Sequence, residues 1–188
     1  MNKTYKIIQN SIFLCLLIIS GKLSFPLGGI SFTLQLFIVF IIALLSKPLD
    51  IFLIFFTYIF FGLIGLPIFS VGGGISYIYQ PSFGFLIGFW IMCYPIYFTK
   101  KLLSKFIKNI YLTNLISCLI GLISDYIIGF IYAIIVFNIY LGNNYSIYKI
   151  LALVIVPFII LDLIKLIFAS IIEIHLEKVL IIKKNNLN

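Results

Sequence analysis

The chain has 188 residues, of which 63% are hydrophobic and only 10% charged, and its mean hydropathy is +1.26. That leaves too little polar surface to cover a soluble domain, and it describes an integral membrane protein. The net charge of +8 comes from lysines alone, and all but Lys165 sit at the edges of apolar runs. A nucleic-acid partner would need them clustered on a polar face, so none is expected.

Apolar runs recur along the whole length, so a single membrane domain over residues 1–188 is expected, all-α, with six transmembrane helices. The first spans about residues 7–20. Lys22 follows Ser20-Gly21 at once and no A-x-A-like cleavage site stands out, so it reads as a retained helix. A Pro/Gly-rich loop follows, residues 22–31, with Pro26, Gly28 and Gly29. The second helix covers about 33–45, short for a span, with Thr33 as its expected cap. Ser46-Lys47-Pro48 turns the chain into the third helix, about 51–66.

Residues 67–81 then break the pattern. Pro67, Pro81 and the successive Gly72, Gly73 and Gly74 forbid a continuing helix, yet the segment carries no charge and is rich in large apolar groups. It reads as a gating loop folded over a cavity, because irregular backbone near a membrane persists only against protein or water. The fourth helix is expected over about 83–98, with Gly84 and Gly88 at a spacing that lets helices approach closely. The fifth covers about 111–137 and holds Ser124, Asp125 and Tyr126 near its middle. The last apolar run, about 147–182, is expected to break at Pro157, with that proline in the first helical position of its second part.

Lysine asymmetry orients the chain. One set of helix ends holds Lys3, Lys6, Lys47, Lys100, Lys101, Lys105, Lys108, Lys178, Lys183 and Lys184; the other holds only Lys22 and Lys149. Both termini are therefore expected in the cytoplasm, and residues 67–81 outside.

Inside the last apolar run stand Asp162 and Lys165, three residues apart and so on one helix face. Each costs roughly 2.5–3.5 kcal/mol at the centre of a membrane helix, which makes the pair a functional candidate. If pairing were its whole purpose, two leucines would serve more cheaply. Other chemistry is missing from the sequence. No phosphate-binding G-x-x-x-x-G-K-[ST] motif occurs, and Cys15, Cys93 and Cys118 have no ligand spacing. His175, beside Glu173 and Glu177, reads as an interfacial residue. No metal or cofactor is expected, and no catalytic set can be assembled on one membrane face.

Three stretches carry a resemblance. They are Pro26-Leu-Gly-Gly-Ile-Ser-Phe32-Thr33-Leu34-Gln35; Gly62-Leu-Ile-Gly65-Leu66-Pro67-Ile68-Phe69 with glycines 72–74 and Pro81-Ser82-Phe83-Gly84-Phe85-Leu86-Ile87-Gly88-Phe89; and Pro157-Phe158 with Asp162-x-x-Lys165. Tyr126-Ile-Ile-Gly129 is a weaker fourth. The chain resembles BioY, the biotin-binding membrane subunit (S component) of energy-coupling-factor (ECF) transporters. Ser31, Gln80, Ser82 and Phe85 depart from that family's usual residues, as do Ser11 and Cys15, which stand in place of an Ala-xxx-Ala pair.

The resemblance implies biotin uptake across the cell membrane, not an enzyme. It implies a transmembrane coupling subunit docked at Ser11 and Cys15 and two cytoplasmic ATPases. Asp162 would accept from the ureido N–H groups and Lys165 would pair with the valerate carboxylate. Phe69 and Tyr79 of the loop would cover the apolar middle of the ligand, with Gln35, Ser82 and Tyr126 as further polar partners. The alternatives are the same architecture for riboflavin or thiamine, or a small membrane enzyme.

Overall fold

The computed structural model describes residues 3–27 and 30–185. Gly28 and Gly29 of the first motif lie outside the described residues, as do the side chains of Lys3, Ser31, Lys183 and Lys184.

Helix α1 (Lys3–Lys22) leads into strands β1 (Ser24–Leu27) and β2 (Ile30–Thr33), an antiparallel hairpin with Phe25 opposite Phe32. The expected loop is thus paired. Proline is admissible there because both strands of a two-stranded ribbon are edges. Helix α2 (Gln35–Leu45) starts two residues later than expected. Leu34 occupies the cap position, but the Thr33 hydroxyl still accepts from Gln35 N at 3.3 Å. Helix α3 (Pro48–Ile64) and helix α4 (Pro81–Leu103) both begin on a proline, whose missing N–H costs nothing in a first turn. Helix α5 (Ile110–Ile134) is capped by Asn109, whose side chain accepts from Leu112 N at 3.2 Å, and passes into a π-helical turn over Ile135–Tyr140.

The last run is two helices, α6 (Ile147–Val154) and α7 (Ile159–Asn185), bent by 45°. Pro157 lies in the turn between them and not at the first helical position. With no N–H to give, it cannot continue the α6 ladder. Asp162 falls in the first turn of α7, near the helix end as expected.

The surface is apolar, and the interior, itself largely apolar, also holds several polar and charged side chains. Phe52, Phe56 and Phe60 stack outward along α3, and Ile123, Ile127 and Ile131 face outward from α5. Gln35, Asn114, Asp125, Asp162, Lys165 and Glu173 are buried. Water would not tolerate that arrangement, whereas a bilayer favours it. Among the described residues, α1, α4 and α5 with its π-turn are long and apolar enough to cross a membrane, and the α6–α7 pair makes a fourth such span. Helices α2 and α3 are shorter. Most of α2 is buried, from Gln35 to Leu44, among α1, α4 and α7. A helix wrapped by others need not match the lipid thickness.

Polar contacts define the two ends of the bundle. At one, Asp50 at the start of α3 meets Lys6 (3.9 Å) and Asn10 (3.2 Å) of α1, and Lys100 of α4 reaches Leu44 O of α2 and Glu173 of α7. The hairpin, the 65–80 loop and the end of α5 lie at the other.

Candidate functional site

A cavity of about 570 Å³, including its open mouth, lies at the loop end. Helices α2, α4, α5 and α7, strand β2 and the loop all supply lining residues. Its walls are largely apolar, with Phe85, Leu86, Phe89, Val154 and Phe158 among them. A few polar groups converge on this surface, the usual make-up of a small-molecule site.

Asp162 and Lys165 both line the cavity and are 6% and 7% exposed. Lys165 Nζ donates to Asp162 Oδ1 at 2.8 Å, and the Tyr126 hydroxyl donates to Asp162 Oδ2 at 2.8 Å. Phe32 of the hairpin lies under the ammonium, 3.9 Å from Nζ to the ring centre. An ammonium has three donors, so Lys165 can still take an anionic or carbonyl oxygen from the cavity.

Gln35 lines the cavity too, but its Nε2 donates to the Tyr58 hydroxyl at 2.8 Å, which bonds on to Ile68 O at 3.3 Å. This chain links the pocket wall to the loop. Ser82 joins the lining through the Tyr77 hydroxyl at 3.3 Å, which also meets Ser70 Oγ at 2.9 Å.

The structure places Phe69 and Tyr79 off the cavity. Phe69 is fully buried beneath the loop, 5.4 Å from Tyr58 and 4.6 Å from Tyr77 between ring centres. It anchors the loop, and Tyr77 lines the cavity in its place. Tyr79 faces outward and stacks on Tyr140 at 4.2 Å.

The loop itself is closely tied. Gly72 and Gly74 adopt φ of 125° and 105°, which side chains rarely allow. Gly74 N donates to Gly62 O at 2.7 Å, Phe69 and Gly72 exchange backbone hydrogen bonds, and Gly73 packs on Leu66 O. Residues 75–79 form a 3₁₀ turn, held from α5 by the Tyr132 hydroxyl on Ile78 O. Ser11 and Cys15 are exposed on α1.

Two buried acids went unassigned in the sequence. Asp125, 1% exposed, lines the cavity from α5. Glu173, fully buried at the far end, accepts from Lys100 Nζ and Asn114 Nδ2, each at 2.5 Å. Each stands in an apolar run much as Asp162 does, so their burial was legible in principle, but their partners were not. His175 is exposed and bonds Ile171 O of its own helix.

Comparison with known proteins bears on this architecture. The family model described as the BioY family matches residues 1–181. The biotin transporter BioY of Thermotoga maritima is 36% identical over 177 residues, covering 92% of this chain and 96% of that one. The probable biotin transporter BioY of Lysinibacillus sphaericus is 33% identical over 144 residues, 76% of this chain and 71% of that one. The crystal structure of the S-component for biotin from an ECF-type ABC transporter superposes with a TM-score of 0.78 at 26% identity, covering 95% of each chain. With charged side chains buried inside and an apolar exterior, this chain is a multi-pass membrane protein, and it belongs to the BioY family.

Proposed function

We propose that this chain captures biotin from outside the cell and serves as the substrate-binding subunit of an ECF transporter. A partner membrane subunit and two cytoplasmic ATPases supply the work, and the chain catalyses no reaction itself. The observation that carries the reading is the buried Asp162–Lys165 pair, open only to an apolar cavity under an uncharged loop. Names of the family's relatives support biotin in particular. Lys165 takes the valerate carboxylate, Asp162 and Tyr126 form the polar wall beside it, and Gln35 and Ser82 shape that wall. Phe69 and Tyr79 act on the loop's position and not by ligand contact. Gly72, Gly73 and Gly74 let the loop move as the gate.

Six spans follow if α2 and α3 each cross and the α6–α7 pair counts once. Both termini then lie in the cytoplasm. The gathering of Lys6, Lys100, Asp50 and Glu173 at one end supports this orientation. Ser11 and Cys15 on the exposed face of α1 are the docking point for the coupling subunit.

Isothermal titration of the detergent-solubilised protein tests the ligand. Biotin should bind, and riboflavin and thiamine should not; binding of either vitamin in place of biotin would overturn the reading. A cysteine introduced at the exposed Ser76, with Cys15, Cys93 and Cys118 replaced, should react with an impermeant maleimide on intact cells. Labelling only after lysis would invert the topology.

A further inference from the structure

Each oxygen of Asp162 has a donor before any ligand arrives, one from Lys165 and the other from Tyr126. Asp125 is different. It is as deeply buried, yet among the described residues no group donates to its Oδ1. It stands one residue before Tyr126 on α5 and faces α4 at Gly88, where a Cβ would overlap Oδ1. The missing side chain at 88 is therefore what lets a carboxyl stand between the two helices and still reach the cavity wall. Buried polar atoms in proteins nearly always have partners, and an exception calls for a reason. A leucine at this position would meet the apolar wall without that penalty.

We propose that Asp125 is a ligand-binding residue, and that it accepts a hydrogen bond from an N–H at the polar head of the ligand. The inference rests on the biotin reading, in which that N–H belongs to the cyclic urea. The cavity then offers two distinct polar stations. Lys165, with donors to spare, receives the oxygen-bearing part of the ligand. Asp125, with acceptors to spare, receives the N–H. Lys165 and Asp162 are in contact and act as one station, so a long ligand with different polar groups at its two ends needs a second. Asp125 is a cavity-lining acid on a different helix from that pair.

The test compares wild type, Asp125→Asn and Asp125→Leu by titration with biotin and with 2-iminobiotin, whose head is a cationic guanidinium at neutral pH. Both substitutions should weaken biotin about 10- to 100-fold, the range for a hydrogen bond to a charged group. The imino analogue should lose more than biotin, because its charge meets Asp125 directly. Thermal melts guard against misfolding. Without ligand, Asp125→Leu should melt at or above wild type, and most of the shift induced by biotin should vanish.

If wild type fails to bind biotin, the biotin reading falls and this inference with it. If wild type binds and both variants stay within about twofold of it, the biotin reading stands and Asp125 is not a contact. Lower melting in both variants with an undiminished biotin shift would make Asp125 a structural residue and overturn the proposal. Equal losses for biotin and the imino analogue would likewise exclude direct contact.

Discussion

Helix α7 buries charge at two places on one stripe, and the two are built in opposite ways. Asp162, Lys165, Leu166, Ala169 and Glu173 all point inward at helical spacing. Asp162 and Glu173 are eleven residues apart, about 16 Å along the axis. Around Glu173 the charged groups close on one another, with Asn114 Oδ1 left without a partner among the described residues. Lys100 bonds Glu173 and Leu44 O and lies 3.8 Å from Glu177, while Asn114 takes the second oxygen of Glu173. Around Asp162 a cavity opens, Lys165 keeps donors in hand and Asp125 Oδ1 has no partner among the described residues. A closed cluster of charges holds helices together. An incompletely satisfied one is a weakness in the unliganded protein and a recognition surface for a ligand that completes it. The same residue types do both jobs, and only their neighbours decide which.

The sharpest way to break this contrast is to strand a charge in the closed cluster. Glu173→Leu takes the buried carboxylate from both the Lys100 ammonium, which keeps only Leu44 O within hydrogen-bond distance among the described residues, and the Asn114 amide. It should cost about 3–5 kcal/mol of stability in an unfolding titration, with biotin affinity of the folded protein unchanged. The double variant Glu173→Leu/Lys100→Met should recover much of that loss, since an apolar pair can replace a buried ion pair at little cost.

The open site should respond in affinity. Lys165→Met should weaken biotin by about 1.5–3 kcal/mol, the scale of a hydrogen bond to a charged group. A neutral amide of biotin should bind mutant and wild type alike, because it offers Lys165 no anion. Comparing the two ligands cancels general damage from the stranded Asp162. Equal losses would reduce Lys165 to a counter-ion and erase the contrast with Lys100. Asp162→Asn should cost biotin about 1–3 kcal/mol, with a smaller effect on stability, because the amide oxygen can still accept from Tyr126.

The smallest expected effect lies in the loop. Tyr132→Phe removes the hydrogen bond to Ile78 O, worth about 0.5–1.5 kcal/mol, and should speed hydrogen exchange over residues 76–80. Saturating biotin should slow exchange across residues 69–80 in wild type. Equal exchange with and without ligand would separate the loop from binding. Local anchors at Phe69 and Tyr58 limit the size of this change, since the loop is already ordered at its base.

Much of this was legible in the residues. Composition dictated a membrane protein, because no soluble fold can hide so much apolar surface. Pro157 marked the break between α6 and α7, since a residue without an N–H interrupts the ladder wherever it sits. The i, i+3 spacing put Asp162 and Lys165 on one face, and the 2.8 Å contact follows from that alone. The hairpin was less visible. Its signal, Gly28-Gly29 between Phe25-Pro26-Leu27 and Ile30-Ser31-Phe32, was masked by a loop-like composition.

All these features depend on residues within a few positions of one another, the range over which backbone geometry and side-chain spacing are set by the chain itself. The remaining features joined distant segments. Glu173 meets Asn114 across 59 positions and Lys100 across 73; Asp125 faces Gly88, and Phe69 turns under the loop onto Tyr58. In the sequence, Asp162 stands out from Asp125 and Glu173 by its lysine three residues on, and nothing ranks the other two acids. Helix packing gave Glu173 two donors, added Tyr126 to Asp162 and left Asp125 Oδ1 with none among the described residues, because such partners come from whichever helices close around a buried carboxyl.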